Sequence, residues 1–222
     1  MEKSIKERTI VMVLKSGGDF NFQDVFLLVH HIKKHASDVN VICISDKFDK
    51  VWQLDQVTII PMKDKFTGWW SKLNLFSPEL KSYRPFLFMD LDTAVVRNFD
   101  SLFPAEEHID KFIAVEDFYQ KSKLQSCLLW VPANNNKIDR IYNARNDKRV
   151  GTKQRMDYFL RDIAPQDLFF QQITNEISSF KPYQAEKLKE LPADVSVVCF
   201  HGKPRIHEAI QYKWVSNYIK QR

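Results

Sequence analysis

Asp90 and Asp92 stand two residues apart at the end of an unbroken apolar run, Phe86, Leu87, Phe88 and Met89, and Ala94, Val95 and Val96 come after them. A run with no polar alternation reads as a strand covered on both faces. Two carboxylates breaking out at its end are costly to bury unpaired, so they point to a cleft that holds a cation. On an extended segment side chains two apart project the same way, which lets Asp90 and Asp92 converge on one ion. Hard oxygen ligands of this kind suit Mg²⁺ or Mn²⁺. Alone, Asp-x-Asp also describes a strand that merely ends in a polar turn. A second strand end strengthens the signal. Residues 195–200, VSVVCF, run into His201, Gly202, Lys203, Pro204 and Arg205. An imidazole beside two carboxylates makes a three-ligand set for a first-row divalent ion, and Lys203 and Arg205 could face the phosphates it bridges.

The elements that must position these residues alternate between strand and helix. Residues 9–14 form a first apolar strand that opens into Lys15, Ser16, Gly17, Gly18 and Asp19. Glycines there let backbone approach a ligand closely. Asn21 is a natural N-cap for a helix carrying Phe22, Val25, Phe26, Val29 and Ile32 at helical spacing. This βα unit is of nucleotide-binding style, although GxGxxG is absent. Residues 39–45 and 57–62 are the next strands, in a parallel, doubly wound arrangement. Trp69, Leu73, Phe76 and Leu80 give a short amphipathic helix with Pro78 near its end, and Lys72 lies beside that stripe. After 86–96 come strands at 112–118 and 124–133 and a helix carrying Ile138, Ile141 and Tyr142. The basic stretch 145–155 reads as a mobile loop. Pro165, Gln166 and Asp167 start a further helix through Phe169, Phe170, Ile173 and Ile177, and a C-terminal helix carries Ile210, Trp214, Val215 and Tyr218.

Length and composition bound the partners. The 222 residues, 44% hydrophobic and 27% charged, fit one α/β domain with a substantial core. A net charge of +5 favours anionic partners such as nucleotide phosphates, acidic glycans or an anionic membrane face. Neither a basic helix nor a basic–aromatic repeat supports nucleic acid. Cys43, Cys127 and Cys199, odd in number and each in an apolar stretch, read as buried reduced thiols. The charged start MEKSIKER lacks a signal core and no apolar run reaches membrane-span length, so the expected location is cytoplasmic or at the cytosolic face of a membrane.

In this order, TIVMVLKSGGDF, WWSKLNLFSPEL, FLFMDLDTAVV, LQSCLLWVPAN, PQDLFFQQI and VCFHGKPR resemble a glycosyltransferase of the GT-A fold, closest to the family 8 group and its small bacterial and viral relatives. The resemblance spans nearly the whole chain, and its specific pieces are DLD and HGKP. It implies a single-domain, Rossmann-like α/β fold with a mostly parallel central sheet flanked by helices. The nucleotide-sugar half would occupy about 1–105, the acceptor half about 106–205 and the C-terminal helix about 206–222. Carried over by position, Asp90 and Asp92 would hold Mn²⁺ or Mg²⁺ against the donor diphosphate, with Asp90 also near the ribose and His201 the third ligand. Lys203 would contact phosphate, Leu14, Lys15 and Ser16 would line the nucleoside, and Lys72 would touch the sugar and Asp90. Ser126 would lie on the acceptor strand, and Gln166 and Asp167 near the anomeric carbon. The chain departs from the pattern in a shortened HGxxKPW motif without Trp, in Gln125-Ser126-Cys127 for Asn-Ser-Gly, and in Pro165 at the first acidic position.

These roles imply a reaction. A sugar moves from a nucleotide-sugar donor, UDP-linked, to a glycan, lipid-linked or protein-linked acceptor, with a divalent ion and Lys203 opposing charge on the leaving diphosphate. An inverting enzyme needs a carboxylate base, Asp167 first and Glu116 or Asp117 in reserve. A retaining enzyme, which the family likeness favours, lets the diphosphate take the acceptor proton. Two other classes fit parts of the pattern: a non-catalytic nucleotide-sugar-binding protein on the same fold, and a haloacid-dehalogenase-type phosphatase, whose nucleophile also sits after an apolar run.

Overall fold

A computed structural model describes residues 8–47, 56–181 and 191–221; the charged start, 1–7, lies outside them. The first strand, β1 (Arg8–Leu14), leads through the glycine loop to α1 (Phe22–His35). Asn21 caps α1 as expected: its Oδ1 accepts from the Gln23 amide at 2.8 Å while Asp24 accepts from the Asn21 amide at 2.8 Å. Next come β2 (Val39–Ser45), β3 (Thr58–Pro61), β4 (Phe86–Met89), β5 (Thr93–Val95), β6 (Ile113–Glu116) and β7 (Leu124–Val131). The rest of the chain supplies α2 (Asn136–Asn143), α3 (Met156–Ile163), β8 (Leu168–Phe169), β9 (Ile177–Ser179), β10 (Val197–Cys199) and α4 (Lys213–Lys220).

Seven strands form the main sheet in the order β3-β2-β1-β4-β7-β6-β8, and β5-β10-β9 make a second, small sheet. In the main sheet β7 pairs antiparallel with β4 and β6, while the remaining neighbours are parallel. Both faces are covered, which is why the strands are apolar without alternation. Ile10, Met12, Leu87 and Met89 pack under α1 on one face. Val11, Val13, Phe86 and Phe88 meet Trp70, Phe76, Phe159 and Leu160 on the other. A third cluster, with Phe180, Phe200 and Tyr218, joins the small sheet to α4.

Four expectations need correction. Residues 86–96 are not one extended strand. The chain leaves the main sheet after Met89, turns through Asp90–Asp92 with the Thr93 amide bonded to the Asp90 carbonyl at 3.1 Å, and enters the second sheet at Thr93. The amphipathic stretch after residue 67 is two 3₁₀ helices, Gly68–Phe76 and Pro78–Tyr83, and Pro78 begins the second instead of ending the first, because its fixed φ suits a first helical position. The helix expected from Asp167 through Ile177 is absent. The Asp167 amide bonds the Phe112 carbonyl at 2.7 Å, which starts β8 along β6, and the chain continues into a 3₁₀ turn and β9. Finally, 145–155 is tied down: the indole nitrogens of Trp69 and Trp70 donate to the Gln154 and Thr152 carbonyls at 3.1 and 2.9 Å.

Candidate active site

Because β7 runs against β4 and β6, one end of the main sheet collects the C-terminal ends of β1, β2, β4 and β6 and the start of β7. There Leu14, Lys15 and Ser16 lie at the end of β1, Asp46 at the end of β2, Asp90 at the end of β4, and Ser126 near the start of β7. The small sheet adds its own strand end, since the Phe200 amide donates to the Asp92 carbonyl at 2.8 Å and brings His201 alongside. The sequence thus places most of its candidate residues on one rim, as α/β sheets place their ligands.

On that rim the carboxylates are held by protein cations. Lys72 Nζ, carried by the first 3₁₀ helix, lies 2.5 Å from Asp90 Oδ2 and 3.4 Å from the Ser126 carbonyl. Arg205 Nη1 lies 2.5 Å from Asp92 Oδ2, and its Nη2 lies 2.8 Å from Asp19 Oδ2 in the glycine loop. The other oxygen of Asp92, Oδ1, is buried and has no partner among the described residues. Burial first, then the neighbouring Asp90 charge, pushes the Asp92 carboxyl up to about 8. Lys72 is buried too, which lowers its pKa, but the Asp90 carboxylate outweighs this and holds the ammonium above its usual range.

Lys15 and Ser16 are tied to a neighbouring carboxylate. Both clasp Asp46: the Ser16 amide and hydroxyl reach it at 2.8 and 2.6 Å, and Lys15 pairs with its Oδ2. Partial burial raises the Asp46 carboxyl, but these bonds bring it down to about 2. Lys203 is exposed and turned to Glu208 at 2.5 Å, so the cation of the last motif that reaches the carboxylates is Arg205. His201 is turned as well. Its Nε2 lies 2.6 Å from Ser179 Oγ and its ring stacks on Phe118 with centroids 5.5 Å apart. Burial and then the Lys181 charge lower the imidazole to about 4, leaving it neutral at pH 7.

Asp167 and Gln166 lie elsewhere. Asp167 is at the opposite end of the sheet, where β6 begins, and accepts from the Phe112 amide at 2.8 Å, from Asn135 Nδ2 at 3.0 Å and from Lys137. A further carboxylate that faces the rim from this half is Asp157, in the first turn of α3. It accepts from the Ser126 amide and hydroxyl at 3.0 and 2.6 Å and from Arg155 at 2.6 Å. A sequence signal for it exists: Met156, Phe159, Leu160 and Ile163 recur at helical spacing, and an acid in a first turn is a helix-start marker.

Among the described residues no set of three or more His, Cys, Asp and Glu side chains converges as a metal cage. The two aspartates nonetheless fit a divalent ion, because the orphaned Asp92 oxygen is an acceptor that a cation would satisfy. His201 is not assembled onto them in this arrangement.

No protein-family model matches the chain, and no curated protein matches its sequence. Solved structures match its shape. The galactosyltransferase LgtC, in complex with donor and acceptor sugar analogs, superimposes with a TM-score of 0.67 over 96% of this chain and 94% of its own, at 10% identity. The glycosyltransferase GlyE of Streptococcus pneumoniae TIGR4 gives a TM-score of 0.66 over 97% of this chain, at 10% identity. The fold is the GT-A glycosyltransferase fold. The bifunctional glycosyltransferase WbbM matches too, with a TM-score of 0.62 over all of this chain at 11% identity. This chain spans 60% of GlyE and 53% of WbbM. Likeness at such identities carries architecture and leaves the reaction to the site. Among the described residues, no helix is long and apolar enough to cross a membrane.

Proposed function

We propose that this chain is a metal-dependent glycosyltransferase that moves a sugar from a nucleotide-sugar donor, UDP-linked, to a glycan or glycoconjugate acceptor. One observation carries the reading: on a GT-A scaffold, at the rim where strands end, a buried Asp92 has an unpartnered oxygen and its neighbour Asp90 is held by Lys72. Asp90 and Asp92 would hold Mn²⁺ or Mg²⁺, which when bound supplies positive charge against the leaving diphosphate. Lys72 aims Asp90 through their 2.5 Å contact and presents a fixed cation close to the pair. Lys15, Ser16 and Asp46 form a rigid floor beside the glycine loop, on which a nucleoside would rest. LgtC, solved with donor and acceptor sugar analogs, is the neighbour that supports a sugar-transfer reading.

The same geometry favours retention. Asp167, the first candidate for an inverting base, sits at the far end of the sheet. Of the reserves, Glu116 accepts from the Ser122 amide and Lys121 through both oxygens, whereas Asp117 accepts from the Tyr119 and Gln120 amides through Oδ1 alone. With Asp167 distant and Glu116 engaged at both oxygens, the departing diphosphate is the favoured acceptor for the hydroxyl proton and Asp117 the remaining candidate base. The test is a donor-hydrolysis screen across nucleotide sugars with Mn²⁺, repeated in excess EDTA. Metal-dependent release of UDP is the expected result. Tight UDP binding with no turnover of any donor would favour the non-catalytic binder, and phosphate release from p-nitrophenyl phosphate would favour the phosphatase.

A further inference from the structure

Arg205 has a position that the proposed reaction leaves unexplained. Its side chain is only 17% exposed, and the guanidinium lies 4.6 Å over the Phe20 ring. One edge of the guanidinium meets buried Asp92 at 2.5 Å, and the other meets exposed Asp19 at 2.8 Å. The oxygen it occupies, Oδ2, belongs to the carboxylate that would hold the ion. Lys72 likewise occupies Asp90 Oδ2, and Ser179 occupies His201 Nε2. In the free protein one oxygen of each aspartate and the His201 Nε2 are therefore taken by other side chains, and Asp92 Oδ1 is left as the buried acceptor.

We propose that Arg205 is a latch on the metal site: it occupies Asp92 Oδ2 while the site is empty and moves onto the donor diphosphate when the nucleotide arrives, so that ion and diphosphate enter together. This rests on the reading that Asp90 and Asp92 hold an ion under a nucleoside diphosphate. A guanidinium is suited to the exchange, since its planar fork bonds two oxygens of a carboxylate or of a phosphate with the same geometry. Asp19 keeps the side chain tethered after it leaves Asp92. Its position in the glycine loop puts that tether beside the nucleotide floor. Lys203, two residues away, is held by Glu208 and does not contact the pair. By linkage, a diphosphate that draws Arg205 off Asp92 tightens the ion, and the ion tightens the diphosphate by the same factor.

The experiment is a titration of Mn²⁺ into the full chain, monitored by electron paramagnetic resonance of the free ion, with and without saturating UDP. For wild type, weak binding alone and tight binding with UDP are expected. Arg205→Ala should tighten Mn²⁺ alone by about tenfold, equivalent to about 1.4 kcal/mol, and should shrink the enhancement by UDP. Arg205→Lys, which keeps the charge without the fork, should fall between the two. Asp19→Asn, which leaves Asp92 as the sole carboxylate partner of the guanidinium, should shift Mn²⁺ alone the opposite way, to weaker binding. Lys203→Ala removes a like charge from the same turn and should tighten Mn²⁺ far less than Arg205→Ala. If Asp92→Asn abolishes Mn²⁺ binding while a folded Arg205→Ala leaves the affinity and the UDP enhancement unchanged, the latch is overturned and the metal site stands. If Asp92→Asn retains full Mn²⁺ binding, both are overturned. Should Arg205→Ala fail to fold, wild-type affinities in Arg205→Lys and Asp19→Asn together overturn the latch.

Discussion

Two carboxylates of this chain, Asp92 and Asp167, lie at opposite ends of the same sheet and live in opposite conditions. Asp167 receives the Phe112 amide, Asn135 and Lys137, so both of its oxygens are paired. Partial burial raises it, yet those partners hold it below the usual carboxylate range. Asp92 is more deeply buried, has one oxygen on Arg205 and the other on no group among the described residues, and is pushed up to about 8. A carboxylate whose partners are all supplied by its own chain is a fastener. One that the fold buries and leaves short of a partner is poised for something the fold does not contain.

The largest expected effect separates the two directly. Asp92→Asn should lower turnover of the nucleotide sugar by at least about a hundredfold, the scale of losing a preorganised electrostatic contact at the reacting charge. Its fold should survive, because the change is in a turn at the sheet's rim. Asp167→Asn should keep turnover within a few-fold and instead cost stability, about 1 kcal/mol for a partly exposed pair. Steady-state kinetics and thermal melts on both variants check this. Equal loss of turnover in the two would erase the distinction and return Asp167 to the chemistry.

A smaller effect is expected at Lys72, which touches Asp90 from outside the pair. Lys72→Ala should reduce kcat by roughly 10- to 1,000-fold. Lys72→Arg, keeping charge but not the compact ammonium, should recover only part of it. Because the ammonium is buried against Asp90 and lies 5.5 Å over the Phe88 ring, Lys72→Ala should also leave Asp90 exposed to water, and its loss should fall on kcat more than on KM. Wild-type kinetics in Lys72→Ala would make the ion pair a structural one, like that of Asp167.

The rim is legible in the sequence, and its wiring is not. Apolar runs ending in Lys15-Ser16, Asp90 and His201 announce strands and the chemistry at their ends, since burial on both faces forces the composition. Alternation along a strand predicts that Asp90 and Asp92 converge, whereas their proximity arises from a turn that crosses from one sheet to the other. That crossing depends on β10 pairing with β5 from about a hundred residues away, which no local pattern records. The Gln166-Asp167 expectation fails for a related reason. Phe169, Phe170 and Ile173 have spacings compatible with a helix, but the pairing of residues 167–169 with β6 is a tertiary choice that overrides them. Arg205 is visible in the sequence as a basic residue in a turn. Only the fold shows that it, and not Lys203, meets the carboxylates.

The smallest expected effect is on stability against pH, and it gives the comparison a sign. Asp92 ionises near 3.8 when unfolded and near 8 when folded, so the folded protein holds the extra proton and loses stability as pH rises through that window. Removing the charge with Asp92→Asn should therefore raise Tm relative to wild type in EDTA, by little at pH 5 and most at pH 8 and above. The scale is about 1–3 kcal/mol for an unpartnered buried group, or roughly 2–4 °C per kcal/mol in a chain of this length. Asp167 is depressed in the fold, so its contribution is present above the unfolded value and is lost as pH falls through the folded one. Asp167→Asn should accordingly lower Tm at neutral pH and converge on wild type in acid. His201, held neutral down to about 4, adds its own loss of stability as pH falls from 6.5, and it does so equally in both variants and in wild type. It thus cancels from each difference. Melts from pH 4 to 9 in EDTA read the two differences directly. Parallel curves for Asp92→Asn and wild type would mean that Asp92 is as well partnered as Asp167, and that its second oxygen is no orphan.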